Sequence, residues 1–266
     1  MRDIISFSFK DEMRRIKAEQ IERGRHCQLL LEPEDPRYRA MDLVSRHQSA
    51  ESEFCRACVR MGYLSADQMT RAARRYRLGM NRYGAVIFWQ IGLMGQVYDG
   101  KIMYYRADCH RDKQRNTTWV SAVMKSFYEC PVPIPSVHCL FGCHLVHGSP
   151  LTTDHSPVTI AVVESEKTAI VMSERYRDYL WMATGGMNEL TPEKLFTLRG
   201  HRLILFPDTD PKGQAYRLWY GIARKAEWLL GQKIFVSPLL EQRASADQKR
   251  RKIDVLDYVC EMSGER

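Results

Sequence analysis

Residues 158–213 carry three short apolar runs, and each ends in a polar or glycine feature. VTIAVV leads into Glu164, YLWMA into Thr184-Gly185-Gly186, and RLILF into Pro207-Asp208-Thr209-Asp210. A helical pattern follows each run. Apolar runs of strand length alternating with helices predict a buried parallel sheet built from βα units. In such sheets, ligands sit beyond the carboxyl ends of the strands. Glu164, Asp208 and Asp210 are therefore expected to converge on one edge.

The residue types suggest a chemistry for that edge. Asp208 and Asp210 stand two apart in a loop at a strand end. Their hard carboxylate oxygens suit Mg²⁺ (or Mn²⁺) and leave places for phosphate oxygens. Such an ion neutralises charge in phosphoryl transfer. Glu164 reaches the same crevice from another strand, as a third metal contact or a general acid or base. Gly213 lets the chain turn tightly into the next helix. An Asp-x-Asp after a strand also occurs in sugar-nucleotide transferases and in phosphatases with an aspartate nucleophile. The phosphatases place it after their first strand, whereas here it follows the third of its group.

Taken together, Glu164, Gly185 and Asp208-Thr209-Asp210-Pro211-Lys212-Gly213 resemble the Toprim domain of primases, topoisomerases and some nucleases. That family has a Glu after its first strand, a glycine turn after a middle strand, and Asp-x-Asp-x-x-Gly after a later one. Ser165 stands where the family usually has Gly. The resemblance covers about 155–236 and is nearest to bacterial-type primases and primase-like proteins of mobile genetic elements. It implies an α/β fold: a Toprim-like, Rossmann-type parallel sheet flanked by helices, preceded by a smaller α+β basic region. It also implies that Glu164, Asp208 and Asp210 are catalytic and bind metal. Asp254, in an acidic motif near the domain's end, joins the metal set or simply caps a helix. Asp257 is a further acid there. Gly185, Gly186 and Gly213 are the structural turns.

Charge adds a partner class. The net charge is +8 and the pI is about 9.1. A basic chain with an acidic metal site is the distribution expected of an enzyme acting on nucleic acid. No apolar run approaches the ~20 residues of a membrane span, and MRDIISFSFKDEMRR lacks the apolar centre of a secretory signal. A cytoplasmic protein with no membrane partner is expected. Its eight cysteines are too sparse for a disulfide framework and read as reduced thiols.

Upstream, residues 1–80 read as a helical region, with helical patterns at about 10–23 and 41–77 and a proline-containing break at 31–40. Arg71, Arg74, Arg75 and Arg77 form either a solvated helix face or a phosphate-contacting one. Cys55-x-x-Cys58 has metal-knuckle spacing but lies in a helical pattern. With His138-Cys139 and Cys143-His144 it matches no standard finger, so zinc is not expected. Residues 81–150 read as a small antiparallel subdomain with strands in GAVIFWQI and GQVYDGKIMYY, bent at Asp99-Gly100, and a basic rim. Trp89, inside an apolar strand, reads as core, while exposed aromatics among basic residues suit single-stranded nucleic acid. This order is similar to the basic subdomain preceding Toprim in primases. The resemblance implies that Lys101, Arg106 and Arg111 contact template or nucleotide, with Lys113 on the same rim. Lys167, at a helix start, and Lys212 are further phosphate contacts or plain surface charges.

Residues 151–266 form the Toprim-like domain, with a helix at 214–230, a strand at 233–236, an exposed basic loop at 243–252 and a closing helix. No phosphate loop of the Gly-x-x-x-x-Gly-Lys type occurs, so no motor is built in. The expected partners are single-stranded DNA, nucleotides and a separate helicase or replication protein. The function expected is primase-like nucleotidyl transfer. The alternatives are a nuclease using the same acids, or a non-catalytic nucleic-acid-binding accessory protein of a mobile element.

Overall fold

A computed structural model describes residues 40–128, 138–148 and 157–264. The helical pattern at 10–23, the proline-rich connector expected at 129–136 and most of the one expected at 147–157 lie outside the described residues.

Among the described residues, three helices lead: α1 (Ala40–His47), α2 (Glu53–Arg60) and α3 (Ala66–Arg75). Serines set their starts. Ser52 accepts from the Cys55 N–H at the head of α2, and Ser65 with Gln68 forms a reciprocal capping box on α3. The pattern expected over 41–77 is therefore broken twice by serine caps.

An antiparallel sheet follows, in the order β1 (Gly79–Met80), β2 (Val86–Ile91), β3 (Val97–Met103), β4 (Thr118–Trp119). The expected hairpin is β2–β3. Its bend is not at Asp99-Gly100, which lies inside β3; the register shifts instead between Gln90 and Ile91. Gly100 pairs with Trp89, and a Cβ at Gly100 would meet the indole ring at 2.7 Å. The glycine makes room for the ring rather than a turn. Trp89 is buried, as its strand pattern predicts. TTWVSAVM, legible as strand or helix, is both: β4 runs directly into α4 (Val120–Tyr128).

After α5 (Leu145–Gly148) the chain enters a parallel sheet. Its elements are β5 (Thr159–Val163), α6 (Glu166–Arg175), β6 (Leu180–Ala183), α7 (Pro192–Phe196), β7 (Arg202–Phe206), α8 (Gln214–Leu230) and β8 (Ile234–Val236). The strand order is β6-β5-β7-β8, with every neighbour parallel. Ile160, Ala161, Val162 and Val163 are fully buried, as a central strand covered on both faces requires. The chain then closes with α9 (Leu239–Arg243), α10 (Ala246–Arg251) and α11 (Val255–Met262). The loop expected over 243–252 is thus mostly helix. Ser245 and Gln248 form a capping box there, and the basic residues occupy an exposed helical surface.

One apolar cluster runs from α2, α3 and the antiparallel sheet into the parallel sheet. Phe141 joins them. It stacks on Tyr76 at 5.0 Å, meets Phe88 edge-on at 5.6 Å, and bridges to Ala183 at the end of β6. The Tyr76 hydroxyl donates to the Trp181 carbonyl at 2.8 Å. Among the described residues, no helix is long and apolar enough to cross a membrane.

Candidate active site

The strand order fixes where the site lies. From β5 the chain moves to one side to form β6 and then crosses to the other side to form β7. The carboxyl ends of β5 and β7 therefore flank the topological switch point, where the connecting loops diverge to opposite sides. Register levels those ends: Val163 lies beside both Ala183 and Phe206. Glu164, the Thr184–Gly185 turn and the Pro207–Asp208 loop are consequently brought to one edge.

Backbone bonds hold the loops in place. The Asp208 N–H donates to Glu164 Oε1 at 3.2 Å, and the Gly185 N–H donates to the Glu164 carbonyl at 2.9 Å. The Thr209 N–H donates to the Ile253 carbonyl at 3.1 Å, which draws the start of α11 beside the Asp-x-Asp loop. Asp254, the N-cap of α11, accepts from the Asp257 N–H through Oδ1 at 2.8 Å, and its Oδ2 accepts the Thr168 hydroxyl from α6. Asp254 is thus a helix cap that stands beside the acidic edge.

The electrostatics confirm that these acids feel one another. Burial pushes Glu164 up to about 7, and the charges of Asp254 and Asp210 add to the rise. Asp208 is raised well above the usual carboxylate range by burial and by Glu164, Asp254 and Asp257. Asp257 is raised too, by burial and then by Asp254. Asp210 goes the other way. Burial would raise it, but the N–H groups of Ala215 and Lys212, at 3.0 and 2.8 Å, outweigh that and hold it low. Gly213, in the left-handed conformation at φ 61°, turns the chain so that α8 begins over the Asp210 carboxylate.

The basic candidates separate into groups. Lys167, the second residue of α6, lies 5.1 Å from the centre of the Tyr63 ring. Burial would lower it, but Asp254 and Asp257 outweigh that and keep it charged. Lys167 is therefore the cation of the acidic edge. Lys101 is buried and committed: its ammonium donates to Glu166 Oε1 at 3.0 Å and to the Gly185 carbonyl at 2.9 Å. Arg106 is exposed and paired with Asp108, and Arg111, Lys113 and Lys212 are exposed. The structure does not gather Arg106, Arg111 and Lys113 with the acids into one hydrogen-bonded set.

Gly185 needs its glycine. Its φ is 89°, and a Cβ would meet Glu166 Oε1 at 3.1 Å and the Lys101 ammonium at 3.4 Å. Glu166 and Thr168 were not legible as site residues. Glu166 lies two residues past Glu164 but is defined by a partner 65 positions away, and Thr168 by one 86 positions away.

A divalent ion fits the chemistry of this donor set. Hard oxygens from Glu164, Asp208, Asp210 and Asp254 share one edge, and their mutual repulsion is the strain a cation would relieve. Among the described residues, no group of three or more His, Cys, Asp or Glu side chains stands at metal-holding spacing. Among the described residues, Cys55, Cys58, Cys109, Cys143 and Cys260 are buried, and the Cys58 and Cys109 sulfurs lie 3.4 Å apart.

No curated protein and no solved structure matches the chain. A family model described as "Domain of unknown function (DUF6371)" matches residues 53–209, from the first residue of α2 through Thr209. That match covers more than half of the chain, with Glu164 and Asp208 inside it and Asp210 and Asp254 beyond its end; the chain belongs to the DUF6371 family.

Proposed function

We propose that the acidic edge is a Toprim-like phosphoryl-transfer site acting on nucleic acid, and that its reaction is primase-like nucleotidyl transfer. One observation carries the reading: Glu164 and Asp208 meet across the switch point between β5 and β7, joined by the Asp208 N–H. Crowded carboxylates with displaced pKa values favour catalysis over a purely structural role.

Glu164, Asp208, Asp210 and Asp254 would hold Mg²⁺ or Mn²⁺. When bound, the ion supplies charge neutralisation at the reacting phosphate. The chain's own groups do the rest. Glu164, near neutral in pKa, accepts a proton from the attacking hydroxyl. Lys167 counters the charge of Asp254 and Asp257 and offers a cation to phosphate at the start of α6. Asp210, anchored by the first turn of α8, fixes the loop that carries Asp208.

The test is an extension assay on single-stranded DNA with labelled ribo- and deoxynucleotides and Mg²⁺ or Mn²⁺. The Asp208→Ala/Asp210→Ala variant runs in parallel. Labelled oligomers formed by the wild type and lost in the variant support primase-like synthesis. Shortening of the DNA, also lost in the variant, replaces that reading with a nuclease in which water is the nucleophile. DNA binding with neither product, unchanged in the variant, identifies an accessory binding protein.

A further inference from the structure

The basic cluster at the end of α3 is neither a free solvated face nor part of the acidic edge. Glu174, at the far end of α6, has a fully buried side chain. Its Oε1 takes Arg75 at 2.5 Å, while Oε2 takes both Arg71 and Arg177 at 3.0 Å. Three guanidinium groups, two from α3 and one from the loop after α6, thus share one carboxylate, which leaves an excess of positive charge. The side chains of Arg71 and Arg177 remain 48% and 59% exposed. Each spends one N–H on Glu174 and keeps the rest of its five donors for a ligand. Arg74, exposed and one turn from Arg71, extends the face. Tyr176, 42% exposed, stands between Arg175 and Arg177. Asp178 at the rim is too little acid to reverse the sign.

A stability role explains the buried carboxylate but not the surplus cations. One arginine would satisfy Glu174, and each further guanidinium adds repulsion to its neighbours. Held by Glu174, however, the forks are ordered before any ligand arrives, so less side-chain entropy is lost on binding. Planar forks match phosphate oxygens. Tyr176, next to Arg177 in the chain and exposed, offers an unpaired base a stacking surface.

We infer that Arg71, Arg74, Arg177 and Tyr176 form a binding surface for single-stranded nucleic acid, separate from the acidic edge. The surface lies at the opposite end of α6, about 15 Å along a ten-residue helix. It holds whatever reaction the acidic edge performs, and it needs no metal.

The test uses the full chain and a fluorescein-labelled 20-nucleotide oligo-dT. Anisotropy is read across a salt series without divalent ions. Each phosphate contact on a single strand contributes about −0.7 to the slope of log K against log salt. Arg71→Gln/Arg177→Gln should therefore weaken binding and make the slope shallower by about 1.4, with Arg75 still pairing Glu174. Arg74→Gln takes nothing from that clamp, so it tests the surface without risk to folding; it should make the slope shallower by about 0.7. Both effects should persist in an Asp208→Ala/Asp210→Ala background, which separates this surface from the catalytic reading. Unchanged slope and affinity in Arg74→Gln and in the folded double variant would overturn the inference. So would binding of the wild type to phosphatidylserine vesicles but not to the oligonucleotide, since the surface would then be a membrane-facing one.

Discussion

Glu164 is the residue on which the acidic edge turns. Its pKa of about 7 lies above the 4.5 of an ordinary glutamate. The folded state therefore holds a proton that the unfolded chain has released between those values, and stability falls as pH rises through that window. Glu164→Gln removes the penalty. Thermal unfolding should show the variant stabilised by on the order of 2 kcal/mol at pH 8 and equal to the wild type near pH 4; a constant difference across pH would refute the charge explanation. A second buried charge gives the opposite result. Lys101→Met leaves Glu166 buried without its cation, which costs about 3–5 kcal/mol in urea unfolding. Lys101→Met/Glu166→Leu should recover most of that loss. Glu164 itself was legible because a polar residue ends an apolar strand. The Lys101–Glu166 pair was not, because nothing local ties two residues 65 apart.

At the scale of elements, the start of α11 links helix stability to the site. Asp254 caps the helix through Oδ1 and meets Thr168 through Oδ2. The two roles separate by substitution. Asp254→Ala loses the cap and should cost about 1 kcal/mol, whereas Asp254→Asn keeps a capping oxygen and should fold nearly as well as the wild type. If Asp254 also serves the reaction, Asp254→Asn loses activity while keeping its melting temperature; equal activity would leave only the cap. The parallel strands were readable because central strands are apolar on both faces. Their boundaries fell close to expectation for α8 and β8, where glycines mark both ends of α8. The basic segment at 243–252 was misread as loop because charge hid a capping box, Ser245 with Gln248, that starts a short helix. The bend assigned to Asp99-Gly100 failed for a different reason: the glycine answers to Trp89 across the hairpin, not to a turn along the chain.

For the whole molecule, the proposed metal site predicts a link between metal affinity and pH. Glu164 and Asp208 must ionise before they can hold a divalent ion, so Mg²⁺ should raise the melting temperature more at pH 8 than at pH 6. Each kcal/mol of binding should appear as about 2–4 °C in a chain of this size. Asp208→Asn/Asp210→Asn should abolish the increment at both values. A pH-independent increment would place the ion elsewhere. The parallel architecture of the molecule was visible in its sequence, but the continuity of its core was not. Phe141 and Tyr76 join the two sheets through contacts that no periodicity encodes. The bond from Lys101 to the Gly185 carbonyl crosses the same divide, inside the fold and with Glu166 as its counter-ion. Separating the sheets would break those bonds and expose the apolar core that the sheets share. The molecule therefore does not open like a jaw to admit a long polymer. A substrate of the proposed reaction would meet the acidic edge as it stands, with the Asp208–Gly213 loop held by the bonds of Thr209 and Asp210.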